Sequence, residues 1–429
     1  MLWRMFGFPA IASSMLIFRC CVGICFVLFS ACGKSSESCE SGLCPSGFAC
    51  NPGSGVCEIV STGSAASSSG LLGRLAPVSL ADGSIGVGAF STERTSLVWA
   101  SGTDGSWLES FIAGPAATAQ ELPAGQNVVA AVDAQGRPHL AWRRSADATL
   151  WHAVLDGSGW HREQVTVAAT GTVGAAIGLG LWQGQPVLAW RALDIQNVRV
   201  ARKINDGWLL ETLPPPTPLP GEATSAVDLG RALALVVLPT GPVIAAYEAG
   251  QGDLVLAART GDTWNVERVA GVDPKTGANL GDTGMPVAAT VGPGGELVLV
   301  YRERESNQVF LRRAKTGLKP QLVLDGASLD PVQQTARTDL LGTVLSVAVL
   351  PTGRVVVAAQ DGSGMRVRVA SERPAGGFQT YLVPGQLQGW PALVVAPDAT
   401  VRCLWLDLSD HTHPAFGHLR SWTVPREGP

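Results

Sequence analysis

A pattern of about fifty residues recurs seven times between residues 71 and 425, and it constrains the fold more than any other feature of the chain. One marker is an aromatic residue, or its replacement, at the expected end of a second short strand: Phe90, Trp142, Trp190, Tyr247, Tyr301, Gln360 and Trp405. The other opens an expected fourth strand: Trp107, Trp160, Trp208, Trp264, Leu318, Phe378 and Trp422. Because the two series lengthen and shorten together, both markers belong to one repeating unit.

Each repeat begins with a strand of small and β-branched residues, as in residues 127–132 and 233–238. A turn follows in which glycine provides the positive φ of a tight hairpin, at Gly83, Gly136, Gly184, Gly241, Gly295 and Gly353, with Ala399 in the last copy. Four short antiparallel strands in such a period are typical of a propeller blade, which is shielded from water only when neighbours stack on it. We therefore expect an all-β protein, with a seven-bladed β-propeller of four-stranded antiparallel blades over residues 71–429. The fourth-strand tryptophans are expected to pack between blades.

Composition agrees with this fold and excludes one class of partner. The chain is 46% hydrophobic and 15% charged, and its 51 glycines and 28 prolines suit many turns. The formal net charge of −4 leaves no broad basic surface, so nucleic acid is not an expected partner.

The first residues predict export. Arg4 and Arg19 precede an apolar run, residues 20–30, that is too short to span a membrane and ends at Ala31 and Cys32. Residues 1–31 are therefore expected to be a signal peptide, and Met15 is an alternative start.

Residues 28–33, with the sequence LFSACG, resemble the lipobox of bacterial lipoproteins. The resemblance implies that Cys32 is lipidated and becomes the mature N-terminus, so that a lipid anchor joins the protein to a membrane. Gly33 is not the aspartate that commonly retains lipoproteins inside, which favours the outer membrane or cell surface.

Residues 32–57 form a short cysteine-rich module with Cys39, Cys44, Cys50 and Cys57. An even number of cysteines in so short an exported segment predicts two disulfides, of which three connectivities are possible. A zinc knuckle is the alternative, but neither the spacing nor an oxidising compartment favours it. The module resembles a fragment of an EGF-like module, and residues 58–70 are expected to be a Ser/Gly-rich linker.

Residues 156–160 and 260–264 resemble a degenerate Asp-box turn of sialidase-type propellers. The resemblance implies a shared fold, and it makes a divergent, sialidase-like glycan hydrolase the alternative function. Tyr247 beside Glu248 could act as the nucleophile pair of such an enzyme. Because tryptophan fills the position of Tyr247 in other repeats, packing is the preferred interpretation.

The loops after the second strands share one face of a propeller with the loops between blades, and this face carries the candidate ligand-binding residues. They are Arg143, Arg144, Arg191, Glu248, Arg302, Arg304, Asp361, His411 and His413. The alternative is that hairpin tips are polar in any propeller. No metal, cofactor or catalytic residue is predicted, since His411 and His413 alone form a weak pattern. We expect a non-enzymatic binding or scaffold protein with a monomeric body that presents this face to a glycan or a protein.

Overall fold

The computed structural model describes residues 48–51, 56–59, 71–103, 106–118, 121–144, 146–166, 171–218, 227–273, 276, 278–313, 319–325, 341–361, 365–385, 388–408 and 418–426. The chain divides into a small unit, Met1–Val60, and a large unit, Ser61–Pro429. Over these described ranges no helix is long and apolar enough to cross a membrane. The predicted signal peptide, Cys32, Cys39, Cys44 and the predicted linker from residue 60 onward lie outside the described residues.

The described residues of the small unit form an antiparallel hairpin of β1 (Phe48–Asn51) and β2 (Val56–Ile59). In its register Cys50 lies directly opposite Cys57.

The described residues of the large unit form seven antiparallel sheets, each made of consecutive strands. The first two blades are β3 (Leu71–Ser79), β4 (Ile85–Ser91), β5 (Ser96–Thr103), β6 (Ser106–Ala113), and β7 (Gln126–Val132), β8 (Pro138–Arg143), β9 (Leu150–Asp156), β10 (Gly159–Gln164). The next two are β11 (Val173–Trp182), β12 (Gln185–Ala192), β13 (Asn197–Ile204), β14 (Gly207–Thr212), and β15 (Leu229–Leu238), β16 (Gly241–Glu248), β17 (Asp253–Thr260), β18 (Thr263–Ala270). The last three are β19 (Thr283–Val291), β20 (Leu297–Glu303), β21 (Gln308–Arg313), β22 (Gln321–Leu324); β23 (Leu341–Val349), β24 (Val355–Asp361), β25 (Arg366–Glu372), β26 (Phe378–Leu382); and β27 (Gln388–Val395), β28 (Val401–Asp407), β29 (His418–Thr423).

The seven-bladed all-β architecture is thus confirmed, and so are the second-strand markers, all seven of which lie in the second strand of their blade. The predicted hairpin turns also have the expected backbone. Glycine has positive φ in six of them, and Ala399 adopts φ 59° in the seventh.

One marker is placed wrongly by the sequence pattern. Trp422 lies on β29, where it pairs with Cys403 of β28, so it belongs to a third strand and not to a fourth. The reason is that the chain returns after Asp407 to pair directly with β28, and the seventh blade has three strands within the described residues. Leu318 lies outside them.

The fourth-strand tryptophans pack between blades, as predicted. Trp160 of the second blade meets Trp99 of the first edge-on, with ring centroids 5.4 Å apart, and Trp208 of the third meets His152 of the second at 5.7 Å. Trp264 of the fourth donates its indole N–H to Glu211 of the third. Residues of the first and seventh blades share one apolar cluster, with Trp107 packed against it, so the same packing closes the ring.

Candidate functional site

Every blade interrupts the pairing of its first strand with its second near the start of the first strand. Such a bulge frees residues from the ladder and redirects their side chains. The residues freed in this way surround the axis of the ring at one end: Arg74, Asn127, Ala175, Arg231, Met285, Val344 and Trp390, one from each blade.

These seven bulges form the wall of a cavity of about 840 Å³, which we call the axial cavity. Tyr247 and Arg302 from second strands, Arg304 from a hairpin and Asp282 from an interblade loop complete its polar part. A narrower space of about 200 Å³, lined by first-strand residues of six blades, shares Arg74 with it. The cavity lies on the face that carries the loops after the second strands, where the sequence predicts ligand binding.

Asp282 is the centre of one charged group. Its Oδ2 atom accepts a hydrogen bond of 3.1 Å from Nη1 of Arg304. Burial, and an interaction of the phenol with the Asp282 carboxylate, raise the pKa of Tyr247 to about 12. Tyr247 is therefore protonated at neutral pH and can donate a hydrogen bond.

Two further arginines share one acid beside the cavity. Asp228 accepts a hydrogen bond of 2.7 Å from Arg191 at Oδ1 and bonds of 2.8 and 2.5 Å from Arg231 at Oδ2. Arg302 donates to the neutral amide oxygen of Asn307 at 3.2 and 2.9 Å. Burial first, and then the neighbouring Arg304, lower the pKa of Arg302 from its ordinary value. The wall of the cavity is therefore richer in positive than in negative charge.

Trp390 provides the aromatic part of the wall. Trp390 is the first residue of the bulge in β27, directly after the last residue that is paired with β28. Gly230, Gly284 and Gly342 occupy the same position in their blades. Trp390 has φ 50° there. A bulky side chain in this left-handed conformation costs on the order of 1–3 kcal/mol, and such strain is concentrated at functional sites.

Of the candidate residues that the structure describes, only Arg302 and Arg304 line the axial cavity. The others are engaged nearby within the fold: Arg143 donates to the backbone carbonyl of Val173, Arg144 pairs with Asp147, Arg191 pairs with Asp228, Glu248 accepts from the backbone of Gly250 and Gln251, and Asp361 is buried 3.9 Å from Arg368. His411 and His413 lie outside the described residues.

Four residues that line the cavity, Arg74, Arg231, Asp282 and Trp390, were not among the candidates predicted from the sequence. A signal for three of them was present, because a glycine shortly after the start of a first strand is followed by a large side chain at Gly73-Arg74, Gly230-Arg231 and Gly389-Trp390. A glycine inside a strand marks a bulge, and a large residue next to it is left out of the pairing with the neighbouring strand.

No protein-family model matches the chain. No curated protein sequence matches it either. Among solved structures, it is similar to the GH93 α-L-arabinofuranosidase of Fusarium graminearum in complex with arabinobiose, with 13% identity, a TM-score of 0.49, and coverage of 85% of this chain and 96% of that one. It is also similar to the six-bladed, fucose-recognising fungal lectin of Aleuria aurantia, with 12% identity, a TM-score of 0.45, and coverage of 74% of this chain and 97% of that one. A third similar structure is virginiamycin B lyase from Staphylococcus aureus, with 10% identity, a TM-score of 0.47, and coverage of 83% of this chain and 96% of that one. At these identities the likeness is one of fold.

Proposed function

We propose that the protein is an exported, lipid-anchored surface protein that binds a saccharide-sized ligand in the axial cavity without chemical turnover. The cavity is the observation that supports this proposal. Its volume of about 840 Å³ lies within the range of small-ligand sites, about 300–1,000 Å³. Its wall is carried by the innermost strands of a closed ring, so the site is held on rigid elements.

The shape favours a glycan over a folded protein partner. A stable protein interface buries about 800 Å² on each side, which needs a broad surface. A concave site walled by arginines, a tyrosine and a tryptophan instead suits a chain end or a short saccharide that enters the ring.

Two features favour binding over hydrolysis, the alternative function. Glycosidases with two catalytic carboxyl groups hold them about 5–10 Å apart, whereas Asp282 is the only carboxylate among the described residues that line the cavity. A sialidase-like enzyme uses a tyrosine nucleophile instead, but the pKa of Tyr247 is raised, so its phenol holds its proton more firmly than an ordinary tyrosine.

The test uses the exported protein, extracted in mild detergent, on a glycan array and in a reducing-sugar release assay with every glycan that binds. We expect retention of a subset of glycans and no release of sugar. Release of sugar that disappears in an Asp282→Asn variant would establish the hydrolase instead. Retention of no glycan would reject the proposal.

The anchor is tested separately, because it rests on the lipobox resemblance alone. We expect labelled palmitate to be incorporated into the native protein and lost from a Cys32→Ser variant, which should be released into the soluble fraction. Labelling of the variant equal to that of the native protein would contradict lipidation at Cys32.

A further inference from the structure

Arg74 differs from the other arginines of the axial cavity. Arg304 and Arg231 pair with carboxylates, and Arg302 donates to Asn307. Arg74 makes no ion pair or side-chain hydrogen bond with any residue in the described part of the chain. It is part-buried at the junction of the cavity with the narrower central space, and burial lowers the pKa of its guanidinium from its ordinary value.

The groups around Arg74 do not neutralise it. Among the described residues that line the cavity, the arginines at positions 74, 231, 302 and 304 face one carboxylate, Asp282, and Asp228 beside the cavity pairs with Arg231, so positive charge is in excess. This occurs in a protein whose formal net charge is −4. Glu303 and Glu305 lie near Gly281, and neither lines the cavity.

An unpaired guanidinium in a concave site has lost part of its hydration without gaining an acceptor. Guanidinium binds carboxylate, sulfate and phosphate oxygens with two parallel hydrogen bonds, and a water-poor cleft strengthens this attraction. A ligand that brings such a group to Arg74 would recover the lost interaction.

We propose that the axial cavity selects ligands that carry an oxyanion group, a carboxylate or a sulfate on a saccharide, and that Arg74 binds this group at the base of the cavity. The proposal rests on the binding function proposed above and specifies its ligand class. Arg231, Arg302 and Arg304 line the same cavity and add to its positive charge, and Trp390 provides apolar surface for the uncharged part of the ligand.

The test is calorimetric titration of the full, detergent-extracted protein with three probes: trigalacturonic acid, its fully methyl-esterified form, and a sulfated galactose trisaccharide. The ester keeps the sugar rings and replaces each carboxylate with an uncharged methyl ester. The sulfated probe distinguishes the two oxyanion sources. Titrations at ~0.02 M and ~0.15 M salt measure the electrostatic part of binding.

An Arg74→Gln variant removes the charge and retains a hydrogen-bond donor. The matched control is Arg373→Gln, the same charge change at an exposed turn between the third and fourth strands of the sixth blade, on the opposite face. We expect at least one anionic probe to bind about tenfold to a hundredfold more tightly than the ester. Arg74→Gln should abolish that preference, and Arg373→Gln should leave it unchanged.

Equal affinity for acid, sulfated sugar and ester, or an unchanged preference in Arg74→Gln, would overturn the assignment while leaving a neutral-sugar binding function in place. Failure of all three probes on the native protein, together with an empty glycan array, would reject the binding function itself. If Arg74→Gln does not melt like the native protein, the acid–ester difference and its salt dependence on the native chain decide.

Discussion

The Nδ1 atom of His139 lies 3.0 Å from the Nε2 atom of His152, and the two rings form a buried pair inside the second blade. Acids lie at both ends of the pair: Nε2 of His139 is 3.4 Å from Oδ2 of Asp133, and Nδ1 of His152 is 3.1 Å from Oε1 of Glu163. Arg137 pairs with Asp133, and Lys203 pairs with Glu163. Two neutral imidazoles have two N–H groups for three contacts, whereas two doubly protonated rings would bring two N–H groups together across the 3.0 Å contact.

This arrangement predicts that the protein loses stability as the pH falls through about 6.5. Burial first, and then the charge of His152, lower the pKa of His139 from its ordinary 6.5. Below that pH the unfolded chain binds more protons than the folded one, so the free energy of unfolding falls, by at most about 1.4 kcal/mol per pH unit for one group. Glu163, with its pKa lowered to about 2, loses its stabilising charge only at lower pH, below about 4.5.

Urea unfolding at pH 7.5 and 5.5 measures the effect. A His139→Gln variant should flatten the pH dependence, and His161→Gln, a change at an exposed histidine of the same blade, should not. A variant at His139 with the native slope would show that another group titrates.

The inner tryptophans should contribute more to stability than the outer ones. Trp190 of the second strand is 0% exposed and packs between the second and third blades, whereas Trp160 of the fourth strand is part-buried. Trp190→Ala should lower the free energy of unfolding by about 3–5 kcal/mol, and Trp160→Ala by less. Equal urea midpoints for the two variants would contradict this ranking.

The number of blades and the second strand of each could be predicted from the sequence. The reason is that every blade must pack against its neighbours, so the same residue types recur at the same positions in each repeat. Trp142, Trp190 and Trp405 show this on the second strands. Trp422 shows the limit: the same residue type opens a fourth strand elsewhere and lies on a third strand here, because pairing depends on where the chain returns and not on the tryptophan.

The site was harder to predict, because the sequence shows that a residue is charged and not which group neutralises it. Arg143 and Arg191 look alike as loop arginines, yet their partners are Val173 and Asp228 of the next blade. Arg74 lies within a first strand, where small residues are expected, and only the bulge turns it into the cavity.

The hairpin of the seventh blade predicts a stabilising substitution. Ala399 has φ 59°, a conformation that costs an L-residue about 1–2 kcal/mol and glycine nothing. Ala399→Gly should therefore raise the free energy of unfolding by about 1 kcal/mol. Gly83→Ala tests the reverse in the first blade, where φ is 86° and an added Cβ meets no atom within 4 Å, so only the backbone strain remains. A destabilised Ala399→Gly variant would contradict the argument.

The small unit predicts one disulfide. Cys50 and Cys57 are direct partners across an antiparallel pair, which places their Cα atoms about 4.5–5.5 Å apart, within the range that a disulfide bridges. Non-reducing peptide mapping of the exported protein should recover Cys50 linked to Cys57, leaving Cys39 to pair with Cys44. A peptide that joins Cys39 or Cys44 to either strand would contradict it.

Trp390 allows the strain of the site to be separated from its ligand contact. Trp390→Gly removes the indole and relieves the left-handed backbone, so the lost packing and the lost strain, each on the order of 1–3 kcal/mol, should nearly cancel in the free energy of unfolding. Trp390→Ala removes the same indole and retains the strain, so it should be less stable than Trp390→Gly by about 1 kcal/mol. Both variants should bind trigalacturonic acid equally, and about tenfold more weakly than the native protein, because both lack the aromatic wall. Urea unfolding and calorimetry of the pair measure the two effects separately, and native affinity in either variant would remove Trp390 from the binding site.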